Sequence, residues 1–102
     1  MTGWILQSDG DDPITLRLPS GAVKTVGRTA RADFIVDAAL VSRIHCRLSA
    51  DKSDQLVVED LGSTNGTSVD STRIDRAVPL QPGQTLTVGR VAFEVVKAES
   101  AL

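Results

Sequence analysis

Aromatic rings are scarce in this chain: Trp4, Phe34 and Phe93 are the only three among 102 residues, and tyrosine is absent. A core without rings has to be filled by Val, Ile and Leu, which are plentiful, and β-branched filling favours strands. Cysteine is nearly absent too. The single Cys46 can form no internal disulfide and stands in no metal-ligand spacing. No apolar run approaches the roughly 18 residues of a membrane-spanning helix. Residues 1–4 carry neither the charged nor the apolar segment of a secretory leader, so the cytoplasm is the default expectation and no membrane partner is expected. A basic excess is also missing. Eleven Lys and Arg against thirteen Asp and Glu leave a formal net charge of -2, the opposite of the surplus on which nucleic-acid binding draws. The sequence has no glycine-framed nucleophile elbow, no Gly-Lys-Ser/Thr phosphate loop and no metal-ligating cluster. Neither a cofactor nor a metal is expected.

What is present is a hydrophobic fraction of 41%, normal for a folded protein, in a length that holds one core. The expectation is one domain over 1–102, its core at about 4–96 and a tail at 97–102. Short apolar runs recur between turn signals. Ile14, Leu16 and Leu18 alternate with Thr15 and Arg17, the period-two signature of a half-buried strand. Similar runs occupy 4–7, 23–27, 34–36, 45–50, 55–60, 85–88 and 91–96, with ragged pieces at 68–69 and 73–74. Pro19-Ser20-Gly21, Pro82-Gly83 and Gly89-Arg90 supply turns between them. No segment keeps a helical period for more than two turns. The Ala-rich stretch 30–39 loses its stripe to Asp33, Asp37 and Phe34-Ile35-Val36. Many short strands at close spacing predict an all-β, mostly antiparallel sandwich.

Three polar clusters sit at the edges of these strands: Gly27-Arg28, Ser42-Arg43-Ile44-His45 and Gly62-Ser63-Thr64-Asn65-Gly66-Thr67. Together they offer guanidinium, hydroxyl and amide donors, with glycines that let backbone N–H groups turn outward. Such equipment holds a tetrahedral anion. Lys24, Arg28, Arg31, Arg43 and Arg47 fall in one half of the chain, so a small positive concavity on an acidic protein is expected, suited to a single phosphate. Each cluster also has a plainer reading. Gly-Arg recurs at Gly89-Arg90 as a hairpin link, Asn65-Gly66 makes a turn in any β protein, and a lone His at a strand entry most often braces its own loop. Ser42 with His45 admits a nucleophilic reading in which Glu59 or Asp60 orients the ring, although neither carboxylate is placed for it by the sequence. Cys46 reads as a small core residue.

Taken in order, Gly-Arg, then Ser-x-x-His, then Ser/Thr-x-Asn-Gly before a further short strand resemble the forkhead-associated (FHA) domain family, whose members bind phosphothreonine peptides. The resemblance runs from Trp4 to about Val96. It implies a β-sandwich of about eleven strands with the peptide site in loops at one end, a recognition module for phosphorylation-dependent signalling and no enzyme. It further implies that Arg28, Ser42 and Thr64 contact the phosphate, that Arg43 adds its backbone N–H, and that Asn65 bonds the peptide backbone. Gly27, His45 and Gly66 match positions that shape the site. Leu40 lies where the family often reads the third residue after the phosphothreonine. The implied partner is a phosphothreonine-containing protein, with the chain itself taken as a monomer. A phospho-independent scaffold or assembly subunit, such as a secretion-system or envelope component, stays open, as does the less favoured Ser42–His45 hydrolase.

Overall fold

The computed structural model describes residues 2–99, which form eleven strands and no helix. One sheet runs β2-β1-β11-β10-β7-β8, from β1 (Thr2–Ser8), β2 (Thr15–Pro19), β7 (Thr67–Val69), β8 (Thr72–Arg73), β10 (Thr85–Val88) and β11 (Val91–Glu99). The other runs β4-β3-β5-β6-β9, from β3 (Val23–Gly27), β4 (Phe34–Ile35), β5 (Cys46–Ala50), β6 (Leu56–Asp60) and β9 (Val78–Leu80). Every pairing is antiparallel except β3 with β4. The all-β sandwich predicted from alternation is the fold observed.

Period two decides which residues meet between the sheets. Leu16 and Leu18 of β2, Leu6 of β1, Phe93 and Val95 of β11, and Leu86 and Val88 of β10 point inward and are buried. From the facing sheet come Val26, Cys46, Leu48, Ala50, Leu56, Val58 and Leu80. Burying each Val, Leu or Phe side chain is worth about 1.5–3 kcal/mol, so this aliphatic layer suffices without many rings. Trp4 is the exception in size: it is buried on β1, with the Lys97 ammonium 5.9 Å from its ring centre. Lys97 also pairs with Asp54 in the β5–β6 turn.

Three details depart from the sequence expectations. β9 lies outside the expected runs, because Pro79 interrupts an already brief apolar stretch. It is tolerated there because β9 is an edge strand and Pro cannot donate to a ladder. β11 continues through Glu99, with Ala98 paired to Gly3 and Glu99 to Thr2, so a tail does not begin at 97. The remaining expected tail, 100–102, lies outside the described residues. His45 precedes β5 rather than opening it, and that places its ring under the loops.

Candidate functional site

Three connections meet at one end of the sandwich. They are the β3–β4 loop (28–33), the β4–β5 loop (36–45) and the β6–β7 loop (61–66), which crosses from one sheet to the other. Backbone hydrogen bonds tie them together. Arg28 N–H donates to the Ser42 carbonyl at 2.9 Å, Val36 N–H to Gly27 at 2.7 Å, His45 N–H to Val26 at 2.8 Å, and Leu61 N–H to His45 at 3.0 Å. Gly27 makes the first crossing possible: a Cβ there would stand 2.1 Å from the Arg43 carbonyl oxygen and 3.0 Å from Ile44 Cα. No side chain fits in that space.

His45 is fully buried and spends both ring nitrogens on neighbouring loops. Ser42 N–H donates to Nδ1 at 3.0 Å, and Nε2 lies 2.8 Å from the Gly66 carbonyl. With Nδ1 accepting, the proton must sit on Nε2, which then donates to Gly66. One ring thus bridges the β4–β5 and β6–β7 loops. The Ser42 hydroxyl is not bonded to it. Ser42 Oγ instead accepts the Thr64 N–H at 3.0 Å, so the geometry is that of a brace and not of a Ser-His nucleophile pair.

The β6–β7 loop is built on a carboxylate. Asp60 accepts N–H bonds from Gly62 (3.1 Å) and Ser63 (3.0 Å), together with the hydroxyls of Ser63 and of Thr67, the latter at 2.7 Å. Ser63 Oγ also accepts the Gly66 N–H at 2.9 Å. Partial burial pushes the Asp60 carboxyl upward, but the Ser63 and Thr67 hydrogen bonds outweigh it and hold the group below its ordinary value. Ser63 and Thr67, counted as donors on composition, therefore face inward and are spent on the scaffold. Next to them, burial and then the Asp60 charge push the Cys46 thiol up to about 12, which leaves it an inert core residue.

Outward-facing groups border one open depression: Arg28, Leu40, Ser42, Arg43, Thr64 and Asn65 all line it, as do Arg31 and Asp37. Arg28 donates Nε–H to the Val41 carbonyl at 3.0 Å, which fixes the guanidinium and leaves its other N–H groups without an acceptor among the described residues. Because Ser42 Oγ is already an acceptor, its own O–H hydrogen is free to donate. Asn65 Nδ2 donates to the Leu40 carbonyl at 3.3 Å, and its Oδ1 remains open. Leu40 is 43% exposed, with φ of 70°. Gly27, His45 and Gly66 (φ 86°) lie beneath this rim, not on it. Lys24 and Arg47 take no part, and Arg47 pairs with Glu59 across the β5–β6 ladder.

Two supports were not legible in the sequence. Asp60 is one; its only signal is the Asp-Leu-Gly-Ser order typical of a side-chain-capped turn. Gly89 is the other. At φ 61° in the β10–β11 turn, its missing Cβ would stand 2.7 Å from the Leu40 carbonyl oxygen and 3.0 Å from Val41 Cγ2.

This rim, set on this two-sheet frame, is that of an FHA domain, and the chain belongs to that family: the FHA domain profile matches residues 24–89. Among curated relatives, the FHA domain-containing protein FhaB of Mycobacterium tuberculosis is 34% identical over 70 residues, 69% of this chain and 44% of FhaB. The chain thus spans less than half the length of the curated relatives it matches. Among solved structures, the FHA domain of CT664 from Chlamydia trachomatis superposes with a TM-score of 0.85 at 26% identity, covering 92% of this chain and 96% of that one. M. tuberculosis EmbR in complex with a low-affinity phosphopeptide superposes with a TM-score of 0.78 at 28% identity, over 92% of this chain and 24% of EmbR. Among the described residues, no helix is long and apolar enough to cross a membrane.

Proposed function

We propose that this chain is a phosphothreonine-recognition module that carries the output of a Ser/Thr kinase into protein assembly in the cytoplasm, and that it catalyses no reaction. One observation carries this reading: five outward groups from three loops, at Arg28, Ser42, Arg43, Thr64 and Asn65, border a single depression over a buried brace. Membership of the FHA family and the phosphopeptide on EmbR support it. In this reading Arg28 and the Ser42 hydroxyl bind the phosphate. Arg43 contributes its backbone N–H, Thr64 sits beside the phosphothreonine methyl, and Asn65 bonds the peptide backbone.

The magnitudes are sufficient. A phosphothreonine brings about -1.5 to -2 charges and three strong acceptor oxygens. Charge-assisted hydrogen bonds are worth roughly 1.5–3 kcal/mol each, so three supply on the order of 5–9 kcal/mol before ordering costs. Backbone bonds from Asn65 offset part of the entropy lost by an extended peptide. A dissociation constant of about 1 μM requires about 8 kcal/mol, which lies within reach of these contacts together with those of the flanking peptide. Calorimetry with matched phosphothreonine, phosphoserine and unmodified peptides tests the reading. The expected order is tight, weaker and absent. Equal binding of the unmodified peptide would favour a phospho-independent scaffold instead.

A further inference from the structure

The phosphate reading gives work to the Arg28 guanidinium and to the Arg43 backbone N–H, and none to Arg31. Arg31 borders the same depression, is exposed, and forms neither an ion pair nor a side-chain hydrogen bond with any described residue. Its backbone is nonetheless fixed. Ala32 is buried and donates its N–H to the Thr29 carbonyl at 3.0 Å. Arg31 N–H approaches Thr29 Oγ1 at 3.4 Å, and that hydroxyl reaches the Arg43 carbonyl at 3.4 Å. Arg31 therefore occupies the tip of an anchored turn, outside the pair drawn together by the Arg28–Ser42 backbone bond.

The nearby carboxylates do not neutralise it. Asp33 is taken by Thr25, accepting its N–H at 2.8 Å and its hydroxyl at 3.1 Å. Asp37 borders the depression but pairs with none of Arg28, Arg31 or Arg43. On a chain of net charge -2, three guanidiniums, those of Arg28, Arg31 and Arg43, border one depression with no ion pair among the described residues. A guanidinium fork suits a carboxylate or a phosphate equally.

We infer that Arg31 reads a second anionic group on the bound peptide, a carboxylate or a further phosphate flanking the phosphothreonine. This rests on the phosphothreonine reading of the same depression, and it makes the partner an acidic or multiply phosphorylated segment. Wild type and Arg31→Ala are titrated calorimetrically with a phosphothreonine peptide of neutral flanks. Variants of that peptide carry one Glu, or one additional phosphothreonine, at each of the three positions on either side. Wild type should gain about fivefold at one or more positions, the scale of a partly exposed ion pair. Arg31→Ala should lose that gain and bind the neutral peptide within about twofold of wild type. A gain from Glu only, or from phosphate only, supports the inference and identifies the source. No gain at any position, or a gain that survives in Arg31→Ala, overturns it while leaving phosphothreonine binding intact. Failure of wild type to prefer the phosphorylated neutral peptide over its unmodified form overturns both.

Discussion

Gly27-Arg28 and Gly89-Arg90 are the same dipeptide at strand ends in opposite sheets, and the two glycines do related work while the two arginines do not. Gly27 lets the β4–β5 loop press against β3 at Arg43, and Gly89 lets the same loop press against the β10–β11 turn at Leu40. The β4–β5 loop is therefore clamped from both sheets. Arg28 is turned into the depression by its bond to the Val41 carbonyl, whereas Arg90 is exposed and does not border it. A dipeptide has no function of its own. What it does depends on which loop lies opposite.

The largest effect should separate the two arginines. Arg28→Ala removes the fixed guanidinium from the depression, and phosphopeptide affinity should fall by more than about a hundredfold, or roughly 3 kcal/mol. The melting temperature should stay nearly unchanged, since the side chain is exposed. Arg90→Ala should alter neither by more than about 0.5 kcal/mol. Comparable losses from both arginines would place the anion site elsewhere.

The glycines should behave as a pair with graded severity. Gly27→Ala forces a methyl group to within 2.1 Å of a backbone oxygen, and a cost of about 3 kcal/mol or more is expected. Gly89→Ala meets the Leu40 carbonyl at 2.7 Å in a left-handed conformation, for about 2 kcal/mol. Denaturant melts rank the two. Peptide titration adds a sharper test: Gly89→Ala should also weaken binding severalfold, because relief of the clash moves Leu40 and with it the partner of Asn65. Unaltered affinity in a destabilised Gly89→Ala protein would remove the second jaw of the clamp.

The clamp also explains what the sequence made legible. Alternation in β2, together with short apolar runs between proline and glycine turns, made the sandwich legible, because period two and turn chemistry are local properties. The residues that border the depression were legible only through the ordered resemblance of three loops, and a count of donors alone also took in Ser63 and Thr67, which are spent on Asp60. Gly89 was not legible, since its meaning lies in a contact with Leu40 from a distant part of the chain. Asp60 hid for the opposite reason. A carboxylate at the end of a strand is common, and only the folded loop shows its four donors converging.

Asp60 makes the β6–β7 side of the site titratable, whereas the Gly89 side is held by packing. Its carboxyl lies below the ordinary value of 3.8 in the folded state. The support it gives is therefore complete above about pH 4 and is lost as pH falls through the lowered folded value. Asp33 and Asp51 shift in the same direction through hydrogen bonds of their own, to Thr25 and to Gln55 and Ser53. Acid destabilisation of wild type alone would not isolate Asp60. The difference between wild type and Asp60→Asn does: a gap in melting temperature at pH 7 should narrow on acidification below about pH 4. A gap independent of pH would mean that the loop depends on the shape of Asp60 and not on its charge.

The smallest effect concerns Leu40, which the Gly89 contact holds at the rim with φ of 70°. A branched aliphatic residue is strained there, and an exposed one gains little from burial in return. Such strain at the margin of a binding depression fits a role in reading the peptide. Phosphothreonine peptides varied at the third following residue should favour an apolar side chain by about threefold, near 0.7 kcal/mol. Leu40→Asn tests both halves of the argument. Asn tolerates this backbone conformation, so the melting temperature should rise by a few degrees, reflecting about 0.5–1 kcal/mol. The carbonyl bonded by Asn65 is retained, so overall phosphopeptide affinity should persist while the apolar preference flattens. Enrichment of Asp or Glu at that position in wild type would show that Arg31 or Arg43, and not Leu40, dominates the margin. A melting temperature that falls in Leu40→Asn would show that the leucine is held for packing against the rim.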